Sequence, residues 1–428
     1  MQTTAFYTLG CKLNFAETST VARQFLDAGF QKVNFEDGAD VYVINTCSVT
    51  DAADRKCKKV VSEAKRFNPK ARVIIIGCYA QLKPEEVASI YGVDLVLGAR
   101  EKFNILEFLP LVGSSEKPIV AHHKIKEAQY FIPSYSLGDR TRTFLKVQDG
   151  CDYFCTFCTI PLARGKSRND SIAKTTAITR DIAEKGIKEI VLTGVNIGAF
   201  GQSTGETFLD LLHSLDEVNG IERIRISSIE PNLLSDEIIS FVANSRHIAP
   251  HFHIPLQSGS DDILERMKRK YKREVFDQRI KQIRNVMPHA CIGADVIVGF
   301  PGESDYHFNE TYRFLNESEV NYLHVFTYSE RANTPASRMI DKISIQERKK
   351  RTQMLRILSE KKRTLFYIKH ENSRQQVLFE AENDGALMMG FTANYIKVAT
   401  TYNPLWVNEM ISVTITKSDN QGYMQCIF

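Results

Sequence analysis

Along the first hundred residues, short apolar runs alternate with stretches whose apolar positions recur every three to four residues. Thr4–Leu9, Val41–Thr46, Arg72–Gly77 and Asp94–Gly98 read as strands. Asn14–Ala28 and Asp51–Phe67 read as helices, the first capped by Asn14 and stopped at Gly29. This alternation predicts an open parallel sheet. Between Leu111 and Arg142 the period fails, and Gly113-Ser114-Ser115, Pro118 and Pro133 mark a linker or crossover arm. A second alternation follows, with strands Phe144–Gln148, Glu189–Thr193, Arg223–Ser227, His251–Leu256, Gly293–Val298 and Tyr322–Tyr328. Its helical segments are Ile172–Lys185, Phe208–Glu217, Ser235–Ser245, Glu274–Met287, Tyr306–Asn316 and Ile345–Tyr367. Six βα units predict a partial TIM-type barrel, (β/α)6, with functional residues on the loops after its strands. From Thr364 onward the runs are short and β-rich: Gln375–Ala381, Leu387–Ala399, Met410–Ile415 and Tyr423–Phe428. Asn383-Asp384-Gly385 and Asp419-Asn420-Gln421-Gly422 supply turns between them, and a small, OB-like β-barrel is expected. The class is thus α/β with an all-β end, in domains at 1–120, 140–365 and 366–428.

Composition narrows the class. A chain of 428 residues, 43% hydrophobic and 25% charged, has the makeup of a globular protein and argues against disorder. Its longest apolar run, Val73–Ala80, is too short to span a bilayer, and Met1-Gln2-Thr3-Thr4 lacks the basic region of a signal peptide. A cytoplasmic protein without membrane contact is expected. Nine cysteines, an odd count over a long chain, argue for reduced thiols used as ligands or core residues. The net charge of +4 is too small to identify a nucleic-acid binder, so its distribution matters more.

Three cysteines crowd into Gly150-Cys151-Asp152-Tyr153-Phe154-Cys155-Thr156-Phe157-Cys158 with the spacing C-x3-C-x2-C. Thiolates are soft ligands suited to an iron-sulfur cluster, and three of them leave one iron open to another molecule. A structural zinc site normally has four ligands in two pairs, and the sequence has no second C-x2-C pair, so zinc is the weaker reading. Cys11, Cys47 and Cys78 follow or end three successive predicted strands, the rim where doubly wound sheets place ligands. That shared position points to a second iron-sulfur site. Cys57, Cys291 and Cys426 share no such position and read as core or surface thiols. The adjacent His122 and His123 point apart; His251 and His253 share a strand face but lack a third ligand, so packing or hydrogen bonding is expected of them.

The loops after the later strands pair small residues with polar ones: Thr193–Asn196, Ser227–Pro231, Leu256–Ser260, Val298–Glu303 and Tyr328–Arg331. Basic residues gather at Lys268, Arg269, Lys270, Lys272 and Arg273, and along the last long helix through Arg348–Arg351 and Lys361, Lys362 and Arg363. Beside a small barrel, these clusters suggest a surface that follows phosphates and offers aromatic contacts to bases.

The cysteine spacing with Phe157 resembles the signature of the radical S-adenosylmethionine (SAM) superfamily. Thr8-Leu-Gly-Cys11-Lys-Leu-Asn14, Asn45-Thr46-Cys47-Ser-Val-Thr50, Gly77-Cys78-Tyr-Ala-Gln81, Lys146-Val-Gln-Asp-Gly-Cys151, Ile160-Pro-Leu-Ala-Arg164-Gly165, His253-Ile-Pro-Leu-Gln257-Ser-Gly-Ser260 and Asp295–Glu303 resemble, in order, the methylthiotransferase family within it. The resemblance implies two 4Fe-4S clusters, an auxiliary one on Cys11, Cys47 and Cys78 and a radical-generating one on Cys151, Cys155 and Cys158, both facing one pocket. It implies SAM as cofactor, with Phe157, Gly194, Asn196, Ser228, Glu230 and Gln257 beside it, and an electron donor such as flavodoxin or ferredoxin. The resemblance further implies that one SAM would methylate a sulfur on the auxiliary cluster and that a second would yield the radical that takes a substrate hydrogen. The C-terminal segment resembles the TRAM domain, which implies transfer RNA (anticodon stem-loop) as partner, with Arg269, Lys270, Lys362, Arg363, Asn394 and Tyr395 as its contacts.

Of the family's substrate branches, Gly390–Val398, Cys11–Asn14 and Thr193–Gly198 most resemble the branch acting on N6-threonylcarbamoyladenosine at position 37 of transfer RNA. The isopentenyladenosine branch, the ribosomal-protein aspartate branch, and an RNA-binding iron-sulfur electron carrier are the alternatives. Asn169 stands where relatives commonly have Ser.

Overall fold

The computed structural model describes the chain except residues 49–50, 114–116, 128–129, 139–140 and 419–421, and the side chains of 51 and 382–384. Val49 and Thr50 of the second motif, Ser114-Ser115 of the linker and the Asp419-Asn420-Gln421 turn therefore lie outside the described residues, as do the side chains of Asn383 and Asp384. Two compact units emerge: residues 1–137, 144–169 and 329–337 form one, and 138–143, 170–328 and 338–428 form the other.

The first unit holds β1 (Thr3–Thr8), α1 (Lys12–Asp27), β2 (Gln31–Lys32), β3 (Val41–Thr46), α2 (Asp51–Phe67), β4 (Arg72–Gly77), α3 (Cys78–Leu82), α4 (Pro84–Ala88), β5 (Leu95–Leu97), α5 (Ile105–Phe108) and β6 (Ile119–Ala121). Its sheet runs β2-β1-β3-β4-β5-β6, every neighbouring pair parallel. The central strands are apolar at almost every position because both faces are covered, as parallel sheets require. Tyr42, Ile44, Val73 and Ile75 enter one core, and Val41, Val43, Ile74 and Ile76 the other. Each such side chain contributes roughly 1.5–3 kcal/mol when fully buried. The stretch read as a linker supplies β6 at the sheet edge and β7 (Ser134–Tyr135), which pairs antiparallel with β8 (Thr143–Lys146). Strands of two or three residues are too short to carry a readable period, which is why the sequence pattern passes over them. After β8 come the cysteine loop and α6 (Ile160–Arg164).

The second unit continues with α7 (Ile172–Glu184), β9 (Glu189–Thr193), α8 (Phe208–Asp216), β10 (Arg223–Ile226), α9 (Asp236–Asn244), β11 (His251–Gln257), α10 (Asp261–Arg266), α11 (Arg273–Val286), β12 (Cys291–Val298), α12 (Asp305–Glu317), β13 (Tyr322–Thr327) and α13 (Ile345–Ile368). β9 and β10 are parallel, as are β11, β12 and β13, and single bridges at Ile224–Ile248 and Ser228–His253 bring β10 alongside β11. A closed barrel follows in the order β14 (Arg374–Asp384), β15 (Leu387–Thr392), β16 (Lys397–Thr401), β18 (Met424–Ile427) and β17 (Met410–Ser418). The run read as one strand, Leu387–Ala399, is two strands around a tight turn in which Tyr395 has φ +66°. Asn394 holds that turn, its amide donating to His289 O at 3.1 Å while its oxygen accepts from the Thr392 hydroxyl at 2.6 Å.

A buried clamp seats the barrel on the strand layer of this unit. Glu189 pairs with Arg223 and Arg225, each at 3.0 Å. Arg225 then donates to Ala393 O and Thr392 O, and Arg223 to Phe391 O and Gln376 O. Among the described residues, no helix is long and apolar enough to cross a membrane.

Candidate iron-sulfur and cofactor sites

The parallel register of the first unit aligns strand ends. Thr8 lies opposite Asn45, and Thr46 opposite Gly77, so Cys11, Cys47 and Cys78 leave the sheet on one rim. Two glycines permit the close approach. Gly10 (φ +107°) lies against Cys47, where an added Cβ would stand 2.7 Å from Cys47 Cβ and 3.1 Å from its Sγ. Gly77 (φ +99°) would put a Cβ 2.4 Å from both Asn45 Oδ1 and Thr46 O. Only glycine combines such backbone angles with such contacts. Asn14 ties the loops together, its amide donating to Leu9 O at 2.8 Å and Thr46 O at 3.1 Å. Cys11 Sγ lies 3.9 Å from Asn14 Oδ1. Burial pushes the Cys78 thiol up, opposed by the positive Arg164 and reinforced by Cys11, whose thiol is near enough to act on it.

The second triad lies in the same unit, on the loop before α6. Its backbone turns N–H groups toward sulfur: Tyr153 N lies 3.3 Å from Cys151 Sγ, and Ile160 N 3.5 Å from Cys158 Sγ. Cys158 N donates to Cys155 O at 3.1 Å, closing the loop on itself. Donors aimed at sulfur are the environment in which clusters are held and tuned. Both sets of three thiols therefore fit an iron-sulfur group by donor type and surroundings. Phe157 lies within the same loop, and Asn169 is buried at the end of the segment that follows it.

Sequence reasoning assigned no role to the buried polar cluster beneath these loops. Glu17, fully buried, accepts from Lys102 at 2.7 Å, Lys146 at 3.1 Å and Arg164 at 3.1 Å. Asp149 accepts from Arg164 and Arg168, each at 2.9 Å, and Arg164 also donates to Asn14 Oδ1 at 2.7 Å. Burial alone would raise the Glu17 and Asp149 carboxyls; the surrounding cations hold both well below the usual range. Burial brings Lys102 down to about 8. The available signal was the polar character of Lys146, Asp149 and Arg164 inside quoted motifs. Nothing in the pattern showed Glu17 and Lys102 meeting them.

In the second unit, the residues expected beside SAM sit on loops after successive strands. Gly194 and the buried Asn196 follow β9, Ser228 and Glu230 follow β10, and Gln257 ends β11. Gln257 has φ +68° at a register shift, a strained conformation for a side-chain-bearing residue that turns the chain out of the strand. Glu230 is raised by burial, with Arg269 pulling against it.

Of the residues expected on RNA, Arg269 is ion-paired with Glu230 and contacts the Tyr271 hydroxyl. Lys362 donates to Asn316 O and Ser318 O near the end of α12, and burial brings it down to about 8. Asn394 is buried in its turn. Lys270 and Arg363 are exposed, and Tyr395 stacks on Phe391 and His251. Cys57 and Cys291 are buried, which pushes each thiol up to about 12, and Cys426 is pushed up to about 11.

Comparison with known proteins identifies the family. Residues 3–98 match a family described as "Uncharacterized protein family UPF0004", and 145–315 match the "Radical SAM superfamily". The chain is 39% identical over 428 residues to a threonylcarbamoyladenosine tRNA methylthiotransferase MtaB of Bacillus subtilis, covering 98% of this chain and 94% of that one. It is 42% identical over 397 residues to the protein of that name from Aquifex aeolicus (92% and 95% covered). A tRNA-2-methylthio-N(6)-dimethylallyladenosine synthase of Koribacter versatilis is 32% identical over 381 residues (88% and 86%). In fold, the chain resembles the radical SAM methyltransferase TsrM from Kitasatospora setae, with TM-score 0.58 at 13% identity, covering 78% of this chain and 77% of that one. Membership of the superfamily implies a 4Fe-4S cluster and SAM, and the α/β fold with a partial radical SAM barrel and a small closed C-terminal barrel agrees with it. On sequence over its whole length and on fold, this chain belongs to the radical SAM methylthiotransferases.

Proposed function

We propose that this chain converts N6-threonylcarbamoyladenosine at position 37 of transfer RNA into its 2-methylthio derivative. The observation that carries the reading is the gathering of Cys11, Cys47 and Cys78 on one sheet rim, in the same unit as Cys151, Cys155 and Cys158. Each set of three holds one 4Fe-4S cluster. Together with SAM these groups supply a hydrogen-abstracting radical and the methylthio group, which acid–base side chains cannot provide for an aromatic C–H.

The chain's own residues hold and orient. Gly10 and Gly77 let the cysteine loops close, Asn14 ties them, and Arg164 links Asn14 to the segment after the second triad. Gly194, Asn196, Ser228, Glu230 and Gln257, on the strand-end loops of one unit, form SAM contacts. The substrate branch rests on relatives of 39–42% identity along nearly the whole chain, named for threonylcarbamoyladenosine. Lys270 and Arg363 offer exposed positive charge to the anticodon stem-loop; Arg363 and Tyr395 also line a cavity of about 210 Å³ with Phe391 and Lys397, cations beside aromatic faces. A flavodoxin or ferredoxin supplies electrons, in the cytoplasm.

The test is anaerobic reconstitution with iron and sulfide, followed by SAM, reductant and transfer RNA carrying either threonylcarbamoyl- or isopentenyladenosine. Methylthiolation of the first alone is expected. Methylthiolation of the second alone would overturn the branch, and SAM cleavage with neither product would remove transfer RNA as substrate.

A further inference from the structure

His251 and His253 share a face of β11, and the structure supplies the ligands that the sequence pattern lacked. Asp295 on β12 places Oδ1 2.8 Å from His253 Nε2, and His324 on β13 places Nδ1 3.4 Å from the same oxygen. One donor atom from each of the three lies within 4.8 Å of the others. Strand register sets this up, with Asp295 opposite Pro255 on β11 and opposite His324 on β13. Ligands ~2.1 Å from a tetrahedral ion stand ~3.4 Å apart, the separation of His324 Nδ1 from Asp295 Oδ1, and the 2.8 Å hydrogen bond from His253 opens to that distance when an ion enters.

Two further features point to a cation. The Asp295 carboxylate is largely shielded from solvent, and among the described residues only the two imidazoles pair with it; no lysine or arginine does. A cation held between that carboxylate and the two imidazole nitrogens would compensate its charge. The second feature is an outer hydrogen-bond layer. His253 Nδ1 lies 3.1 Å from the Tyr322 hydroxyl, which is also 2.9 Å from His251 Nε2. Tyr322 is in turn fixed over Gly293, where an added Cβ would stand 2.1 Å from its ring. Ligating histidines are usually oriented through their second nitrogen in this way. Side-chain exposure rises from 7% at His253 through 18% at Asp295 to 56% at His324, which gives an ion a path in and leaves positions open to solvent.

We propose that His253, Asp295 and His324 form a divalent transition-metal site with open positions, separate in ligand chemistry from the cysteine sites. Two imidazoles and one carboxylate suit Zn²⁺ or Fe²⁺ over Mg²⁺. The open positions suit oxygen donors, such as a carboxylate or phosphate of a bound molecule.

Cluster-loaded protein is dialysed anaerobically against limiting Zn²⁺ in a weak chelator, and zinc and iron are counted by mass spectrometry. One zinc per chain at unchanged iron content is expected. His324→Ala, at a half-exposed position, and Asp295→Asn, nearly isosteric, should each weaken retention about tenfold or more while iron stays constant. Absence of zinc from the intact loaded protein, or equal retention in both variants, would overturn the site.

Discussion

Gly77 shows how one residue governs the rim that carries Cys11, Cys47 and Cys78. A methyl group there meets Asn45 Oδ1 and Thr46 O at 2.4 Å with φ at +99°, so the start of α3, which carries Cys78, must move. Gly77→Ala is expected to cost about 1–3 kcal/mol and to lower iron bound after reconstitution toward half. Thermal unfolding and iron analysis check it; unchanged iron would show that the rim does not shape the site. Arg164 makes a second case. Arg164→Gln leaves Glu17 and Asp149 short of a buried partner and should destabilise by roughly 3–5 kcal/mol, readable in denaturant unfolding. The shared rim of Cys11, Cys47 and Cys78 was legible because each follows or ends a strand whose apolar run is readable. The Glu17–Lys102–Arg164 cluster was not, since its members are 85 and 147 positions apart from Glu17 and no local pattern marks such a meeting.

At the scale of elements, the parallel strands announced themselves because burial on both faces leaves unbroken apolar runs. β6 and β7 did not, because two or three residues carry no readable period, and the turn splitting β15 from β16 has no glycine or proline to mark it. The clamp of Glu189 with Arg223 and Arg225 belongs here too. Burial tends to raise the Glu189 carboxyl, but the two guanidiniums bring it down to about 2 from an ordinary 4.5. A lowered folded value means stability present above pH 4.5 and lost as pH falls toward 2. Glu189→Gln should therefore be less stable by about 3–5 kcal/mol at neutral pH, with a flatter acid dependence between pH 4.5 and 2. Unfolding followed across that range checks both; an unchanged acid slope would remove the clamp from the account.

For the whole molecule, the organising claim is that two sets of three cysteines perform separable work. The order of folded segments was legible from periodicity alone, while the substrate came from resemblance, since no pattern of strands and helices encodes a modified base. The most direct measurement compares reconstituted wild type with Cys11→Ala/Cys47→Ala/Cys78→Ala and Cys151→Ala/Cys155→Ala/Cys158→Ala, each given SAM, reductant and threonylcarbamoyladenosine transfer RNA. Deoxyadenosine and the methylthio nucleoside are counted together. The first variant should keep about half the iron and still cleave SAM without forming the methylthio nucleoside, and the second should yield neither product. Methylthio nucleoside from the first variant, or SAM cleavage by the second, would contradict the division of labour.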